Sequence, residues 1–469
     1  MPHMESAIRS CAVALAIITF SSSWGWPQTP PPDKKRTTTE SIGDAVRAED
    51  KTAAPQTSRE NAQAAAQSAT KVPPVHVLYV HGINQIGAGD SLRLRKGICK
   101  YVGECTVTNL GRIYAEGPFV VNSPPPTLTL RGERIWHSKE DWSASAPFLD
   151  RYLIQGEGHT PILLDEFNWW PLAYPLKCKW LIARDARLTG PSKTHLEVCS
   201  AATTPDPAHP ERYLSYQWIS TSQAAELEHA KPRARILNRS LKSGLMDWGF
   251  GDAVMALGPL EEVLTAGIRE LLIKSLQSDG ADPHAVIGDE DADVFFVTHS
   301  LGSYLSLVAL DADLLGPDDA DLKEFQITPE QRQAAEYFSA HTAGFYMMAN
   351  QIALLQLARV SGASENDTGP CPSGGKSVPS SIAHWRCKRD LYLKEHASVA
   401  REPQIVAWSD PNDLLSWEVP PIEGVHVVNI SVRNPGFKIP PFLESPTSAR
   451  ANYAQNKEVL RRILKPSSQ

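Results

Sequence analysis

The chain has 469 residues, 42% hydrophobic and 21% charged, which is the composition of a globular protein able to bury a large core. Its 46 lysines and arginines against 53 aspartates and glutamates leave a net charge of −7, so there is no electrostatic case for nucleic acid as a partner. Small molecules or proteins are expected instead.

Residues 1–26 resemble a targeting segment: Arg9 precedes the apolar run Cys11 to Phe20, and Ser21, Ser23 and Gly25 then offer places for cleavage. The run is short for a bilayer span, so export is the favoured reading, with an uncleaved membrane anchor as its alternative. From 27 to 72 the chain turns to Pro, Thr, Ala, Gln and charged residues, a disordered spacer by composition. The globular domain is expected over 73–469.

Cys11 aside, six cysteines fall into sequence-local pairs, Cys99 with Cys105, Cys178 with Cys199 and Cys371 with Cys387. Short loop closure favours that pairing as disulfides, though buried free thiols are the alternative. None of the pairs has the C-x-x-C spacing of a metal site, and no two histidines stand at i, i+4 on an evident helix. No metal is expected.

The first strand is predicted from Val75 to Val80 and runs into His81-Gly82-Ile83 and a glycine-containing loop. Short β-prone pieces between Gly111 and Leu130, broken by Pro124, Pro125 and Pro126, and the aromatic stretch Trp136 to Leu149 suggest an insertion at the sheet edge. Pro161 to Asn168 is a second buried strand, and Trp169 and Trp170 at its exit are read as core rather than as the wall of a pocket. After the Cys178–Cys199 excursion, apolar residues at helical spacing between Ile236 and Leu276 supply a crossover helix, and Asp279 to Asp293 is an acidic solvated loop.

Val294 to Val297, a run of β-preferring apolar residues, leads through Thr298-His299-Ser300-Leu301-Gly302 into another apolar-periodic stretch. This predicts a buried strand, a sharp turn carrying Ser300, and a helix. Such a turn needs small residues two before and two after the serine. Gly302 meets that need, while Thr298 stands where glycine is usual. The alternation continues with a helix over Gln331 to His341, a strand over Gly344 to Asn350, a helix over Gln351 to Val360, a loop over Ser361 to Arg386 and a strand over Gln404 to Trp408. That last strand ends in a loop with Asp410 and Asp413, and Val425 to Val432 forms the final strand.

As a set, these motifs resemble the α/β-hydrolase fold family of serine esterases and lipases. The resemblance implies an α/β fold with a mostly parallel central sheet flanked by helices, carrying insertions and preceded by the spacer. It implies Ser300 as nucleophile, the backbone N–H groups of Ile83 and Leu301 as oxyanion donors, and an acid at Asp413 or Asp410. Asp413 is favoured, because Asp410 ahead of Pro411 fits a turn-forming role. His81, Gly82, His299 and Gly302 support the motifs, with His81 shaping a loop rather than carrying protons. No cofactor is implied.

The expected histidine is missing. Pro446 to Asn456 resembles the family's histidine segment, yet Arg450 occupies the histidine's place, and a guanidinium cannot take up the serine proton near neutrality. His426, the last histidine, lies near the beginning of that final strand, about 20 Å from its carboxyl end at roughly 3.3 Å per residue, and so at the wrong edge of the sheet. His341, His384 and His396 are the alternatives from other loops. The expectation is an exported serine hydrolase-like protein acting on carboxylic esters or lipid-like substrates, or an impaired pseudo-hydrolase that binds a ligand or protein with the inherited pocket. Acyl transfer to an acceptor other than water is the weaker third reading.

Overall fold

Strands buried on both faces carry apolar residues at every position, and the alternation then decides which core each residue enters. In β1 (Val75–Val80), Leu78 and Val80 join one core while Val77 and Tyr79 join the other. In β5 (Val294–His299), Phe296 and Phe295 divide in the same way, as do Phe345 and Tyr346 in β6 (Thr342–Met348). These are the assignments in a computed structural model that describes residues 74–464 apart from 84–87, 121, 191–192, 201–217, 230–233, 235–241, 278–292, 312–326, 358–370, 372–377, 396–401, 423, 435–437, 440–442 and 445. The expected targeting segment with Cys11, the spacer, the acidic stretch 279–292 and His396 lie outside the described residues.

The remaining strands of the main sheet are β2 (Cys105–Tyr114), β3 (Phe148–Gly156), β4 (Ile162–Asn168), β7 (Gln404–Ser409) and β8 (Val427–Ser431). The order across the sheet is β8-β7-β6-β5-β1-β4-β3-β2. From β8 to β4 all neighbours are parallel, and β3 and β2 add an antiparallel edge. The fold is therefore α/β, with a mostly parallel central sheet.

One face is covered by α2 (Leu260–Leu276), α3 (Leu301–Leu310), α4 (Pro329–His341) and α5 (Val378–Glu395), whose buried residues include Ile268, Leu305, Phe338 and Trp385. The other face is covered by α1 (Leu92–Val102) and α6 (Lys457–Leu464) through Leu94, Ile98, Val459 and Leu460. Local sequence explains where several of these begin and end. α4 opens on a capping box of Thr328 and Gln331 with Pro329 in its first turn. At the end of α3, buried Arg269 of α2 donates to the carbonyls of Val308 and Ala309 at 3.2 and 3.0 Å, serving groups the helix itself cannot.

Two stretches differ from the sequence reading. The expected edge insertion contains two full strands, β2 and β3, whose pairing includes Arg112 donating to Asp150 at 2.7 and 3.0 Å. Asp150-Arg151 in mid-strand reads as polar surface, yet both side chains are buried because each has a charged partner across the sheet. The expected loop 361–386 also gives way to α5 from Val378 onwards, with Ile382 and Trp385 packed into the core. The described cysteines meet as the three sequence-local pairs, with Cα–Cα distances of 5.2, 5.6 and 5.6 Å, within disulfide reach. Among the described residues, no helix is long and apolar enough to cross a membrane.

In the middle of β4, opposite Leu78 of β1, Asp165 is fully buried and accepts from Arg151 at 2.7 and 2.9 Å, with His76 Nε2 2.9 Å away. Burial alone would raise its pKa, but the Arg151 charge and the hydrogen bonds from Arg151 and His76 outweigh it and hold the carboxyl well below the usual carboxylate range. The depressed pKa means that its contribution to stability is present above the unfolded value of about 3.9 and is lost as pH falls below it. Asp165→Ala, which strands Arg151 in the interior, should lower the unfolding free energy by about 3–5 kcal/mol in urea titrations. Asp165→Asn should flatten the acid limb of the stability profile between pH 5 and pH 2, roughly the window in which that carboxylate protonates.

Candidate active site

Ser300 stands between β5 and α3 with φ 55° and ψ −122°, a conformation that L-residues rarely hold. Close approach on both sides enforces it. A methyl group added at Gly82 would lie 2.6 Å from the serine Cβ and 2.7 Å from the His299 carbonyl oxygen. One added at Gly302 would lie 2.3 Å from the Val80 carbonyl oxygen and 2.6 Å from that of His81. The serine amide is tied to the Met348 carbonyl at 2.8 Å, which locks the turn to the end of β6. Thr298 fits where glycine is usual because its hydroxyl bonds Ser303 Oγ at 2.8 Å and the Tyr346 carbonyl at 3.3 Å, so its polar atom is not stranded in the core.

Ser300 lies at the carboxyl end of the parallel strands, where connecting loops converge. Leu301 is the first residue of α3, and its N–H has no intrahelical carbonyl to bond. Gly82 abuts the serine, and Ile83 follows it in the chain. The far side of this loop is anchored by Glu166, which accepts from the Gly89 amide at 2.8 Å and from Ser91 Oγ at 2.5 Å. Burial, with the Asp150 charge behind it, pushes the Glu166 carboxyl up to about 7.

His81 forms the floor. Its ring stacks on Trp169 with centroids 4.8 Å apart, its Nδ1–H donates to the Gly82 carbonyl at 2.9 Å, and Trp169 Nε1–H donates to the His81 carbonyl at 3.0 Å. Burial lowers its pKa to about 4, which keeps the ring neutral. Trp170 is buried against Phe148 and Tyr174, so both tryptophans at the exit of β4 belong to the core.

Asp410 and Asp413 share the loop after β7 but have different surroundings. Asp410 Oδ1 accepts from the Asn412 amide at 2.8 Å and Oδ2 from the Asn434 amide at 2.6 Å, so its carboxylate organises backbone. Asp413 turns towards Arg450. Its oxygens lie 3.4 and 3.5 Å from Nη1 of Arg450, and the Leu415 amide donates to Oδ1 at 3.0 Å. Tyr453 ties the two together: its hydroxyl accepts from the Asp410 amide at 2.6 Å and lies 3.4 Å from Asp413 Oδ2. Burial first, and the Asp413 charge second, keep that phenol above its ordinary pKa and so protonated.

The other nitrogen of Arg450, Nη2, donates to Ser300 Oγ. Ser300, Arg450 and Asp413 thus form one string. The alternative histidines lie elsewhere. His384 is buried in α5 against Asp311, past the carboxyl end of α3, about 15 Å along the helix from the serine at 1.5 Å per residue. His341 ends α4 stacked on Tyr337, just before β6 begins, and His426 directly precedes β8; both lie at the opposite end of the sheet from Ser300.

The histidine beside the site is His299 itself. Its Nε2 lies 3.1 Å from the Arg450 carbonyl, and its Nδ1 would be 3.1 Å from a methyl group at Gly82. Burial and then the Arg450 charge lower its pKa below the ordinary 6.5. A position next to the serine is the sequence signal that could have singled it out.

The strand order and the serine turn are those of an α/β architecture compatible with the α/β-hydrolase fold. No protein-family model matches the chain, and no curated protein or solved structure does so.

The backbone at Ser300 gives a direct test. Glycine holds a positive φ without the steric cost that a Cβ brings, while Ser300→Ala keeps that cost and loses the hydroxyl. Ser300→Gly should therefore be more stable than Ser300→Ala by about 1 kcal/mol in chemical denaturation, the strain relief exceeding the added chain entropy.

Proposed function

We propose that the chain is an exported serine hydrolase-like protein acting on carboxylic esters, lipid-like ones included, through an acyl-enzyme on Ser300. The observation that carries this reading is the serine's strained backbone, held between Gly82 and Gly302 beside the first amide of a helix. Nothing in packing alone calls for serine there, whereas acyl transfer calls for a hydroxyl projected towards preorganised N–H groups. Ile83 and Leu301 serve as the oxyanion donors and Asp413 as the acid that holds Arg450. Three cysteine pairs at disulfide distance accord with an oxidising compartment, and residues 1–26 provide the export signal or a membrane anchor.

Arg450 favours a second reading. Donating to the serine and paired with Asp413, it supplies positive charge but no proton acceptor, which suits a pseudo-hydrolase that holds a lipid-like ligand or a protein partner with little turnover.

A fluorophosphonate probe separates the two. The hydrolase reading expects wild-type protein to be labelled at Ser300, with labelling abolished in Ser300→Ala and accelerated about 10²- to 10⁴-fold in Arg450→His. Labelling confined to Arg450→His would make the natural protein a binder, and no labelling in either would reject the serine-hydrolase assignment altogether.

A further inference from the structure

Among the described residues, the side chain that bonds Ser300 Oγ is Arg450, through Nη2. Arginine has five N–H donors and no acceptor, so the serine oxygen accepts and its own O–H points away from the guanidinium. The other half of the guanidinium is fixed. Nη1 lies 3.4 and 3.5 Å from the Asp413 oxygens and 3.5 Å from the Leu415 carbonyl. The main chain is held as well: the Arg450 carbonyl accepts from His299 Nε2–H at 3.1 Å, and the Ala449 carbonyl before it accepts from Asn434 Nδ2 at 2.6 Å. A cation is thus built in at the serine oxygen, in a turn where Ser300 is 1% and Asp413 4% exposed.

A full positive charge that donates a hydrogen bond to an oxygen, away from water, favours the anionic form of that oxygen. The same group withholds two services that an imidazole supplies. Near neutrality a guanidinium neither takes the proton from a serine nor gives one to a leaving group.

We infer that Arg450 is a catalytic residue that activates Ser300 as an alkoxide, and that the site takes acyl donors whose leaving group departs as a stable anion, aryl esters and thioesters rather than alkyl esters. The inference rests on the hydrolase reading above. Hydroxide takes the Oγ–H proton and becomes water, while Arg450 holds the alkoxide. The Oγ lone pair forms the bond to the acyl carbon, and the carbonyl pair moves onto the oxygen that the Ile83 and Leu301 amides receive. Collapse restores the carbonyl and breaks the bond to the leaving group, which departs with that electron pair as phenolate or thiolate. A second hydroxide attacks the acyl-enzyme, and Oγ leaves as the alkoxide, again beside the guanidinium. The carboxylic acid released gives its proton to that alkoxide, which restores Ser300. Phenols and thiols ionise at about 10 and 8.5, so their anions leave without a proton. An alkyl alkoxide is a much stronger base than Oγ held by Arg450, so an alkyl ester reverts from the tetrahedral intermediate.

The charged and titratable groups around the turn are Asp413, His299, His81, Asp90, Tyr79 and Tyr453, with Glu166 behind the loop after β1. Burial lowers His81 to about 4, burial and then the Arg450 charge lower His299, and burial raises both phenols. Glu166 titrates at about 7. Above about pH 8 none of these shifted groups changes charge, and the rate follows hydroxide.

The test uses the full chain. Fluorophosphonate labelling of Ser300, in which the Oγ–P bond forms as fluoride leaves, should quicken about tenfold per pH unit between pH 8 and 9.5. Arg450→Gln should slow it by about 10²-fold or more at pH 8.5. Millimolar guanidinium should restore rate to Arg450→Gly, a rescue that a purely structural role does not allow; circular dichroism checks that both variants are folded. Wild-type protein should turn over phenyl acetate faster than ethyl acetate by about 10²-fold or more, and Arg450→His, which can protonate a leaving alcohol, should shrink that ratio about tenfold. A reactive Ser300 whose labelling survives Arg450→Gln, or whose rate is level from pH 8 upwards, overturns the inference alone. So does a wild type that treats the two acetates alike. A wild-type Ser300 that is unreactive at every pH overturns the hydrolase reading together with it.

Discussion

Three backbone segments meet at Ser300 with no space for a carbon atom between them. The end of β1 presses on the serine through Gly82 and on the start of α3 through Gly302, while the end of β6 holds the serine amide through the Met348 carbonyl. Much of the architecture follows from this contact. β1 and β5 must be adjacent and parallel so that both turn at the same level, and α3 must leave the sheet at once, which places its apolar face on the core shared with α2, α4 and α5. The strain at one residue is sustained because the surrounding sheet and helices are too well packed to yield.

Charge around that turn is arranged by burial. Asp413, Arg450 and Ser300 form a string in which the only full positive charge is shared between a carboxylate and a hydroxyl. His81 below it is held neutral by desolvation, and His299 beside it by desolvation and the same arginine. The guanidinium therefore closes a hydrogen-bonded frame from Asp413 to the serine. A proton cannot leave the serine towards Arg450, because the cation accepts none. Tyr453 and Asn434, which join the Asp410 turn to the last part of the chain, keep the Arg450 segment in place regardless of which side chain stands there.

The central strands were legible because their burial on both faces writes a run of apolar residues that no solvent-facing element would carry. Serine, glycine and the apolar helix after Val297 marked the turn for a similar reason: the close approach excludes larger residues. The antiparallel edge was less legible, since Asp150 and Arg151 interrupt β3 and are buried only because Arg112 and Asp165 lie opposite. In α5, a stretch opening among Ser and Pro looked like a loop, and only the core offered to Ile382 and Trp385 makes it a helix.

By itself, the sequence determined the α/β alternation, the serine turn, the loop holding both candidate acids and the presence of arginine where a histidine was expected. These depend on local pattern: continuous apolar runs, tight-turn sterics and neighbour order along the chain. The tertiary structure alone decided that Asp413 and not Asp410 faces Arg450, that the fallback histidines His341 and His384 are remote, and that His299 Nε2 lies against the Arg450 carbonyl. Each of those facts is a distance between segments far apart in the chain or across a turn, set by how the sheet and its loops pack, and no local pattern encodes it.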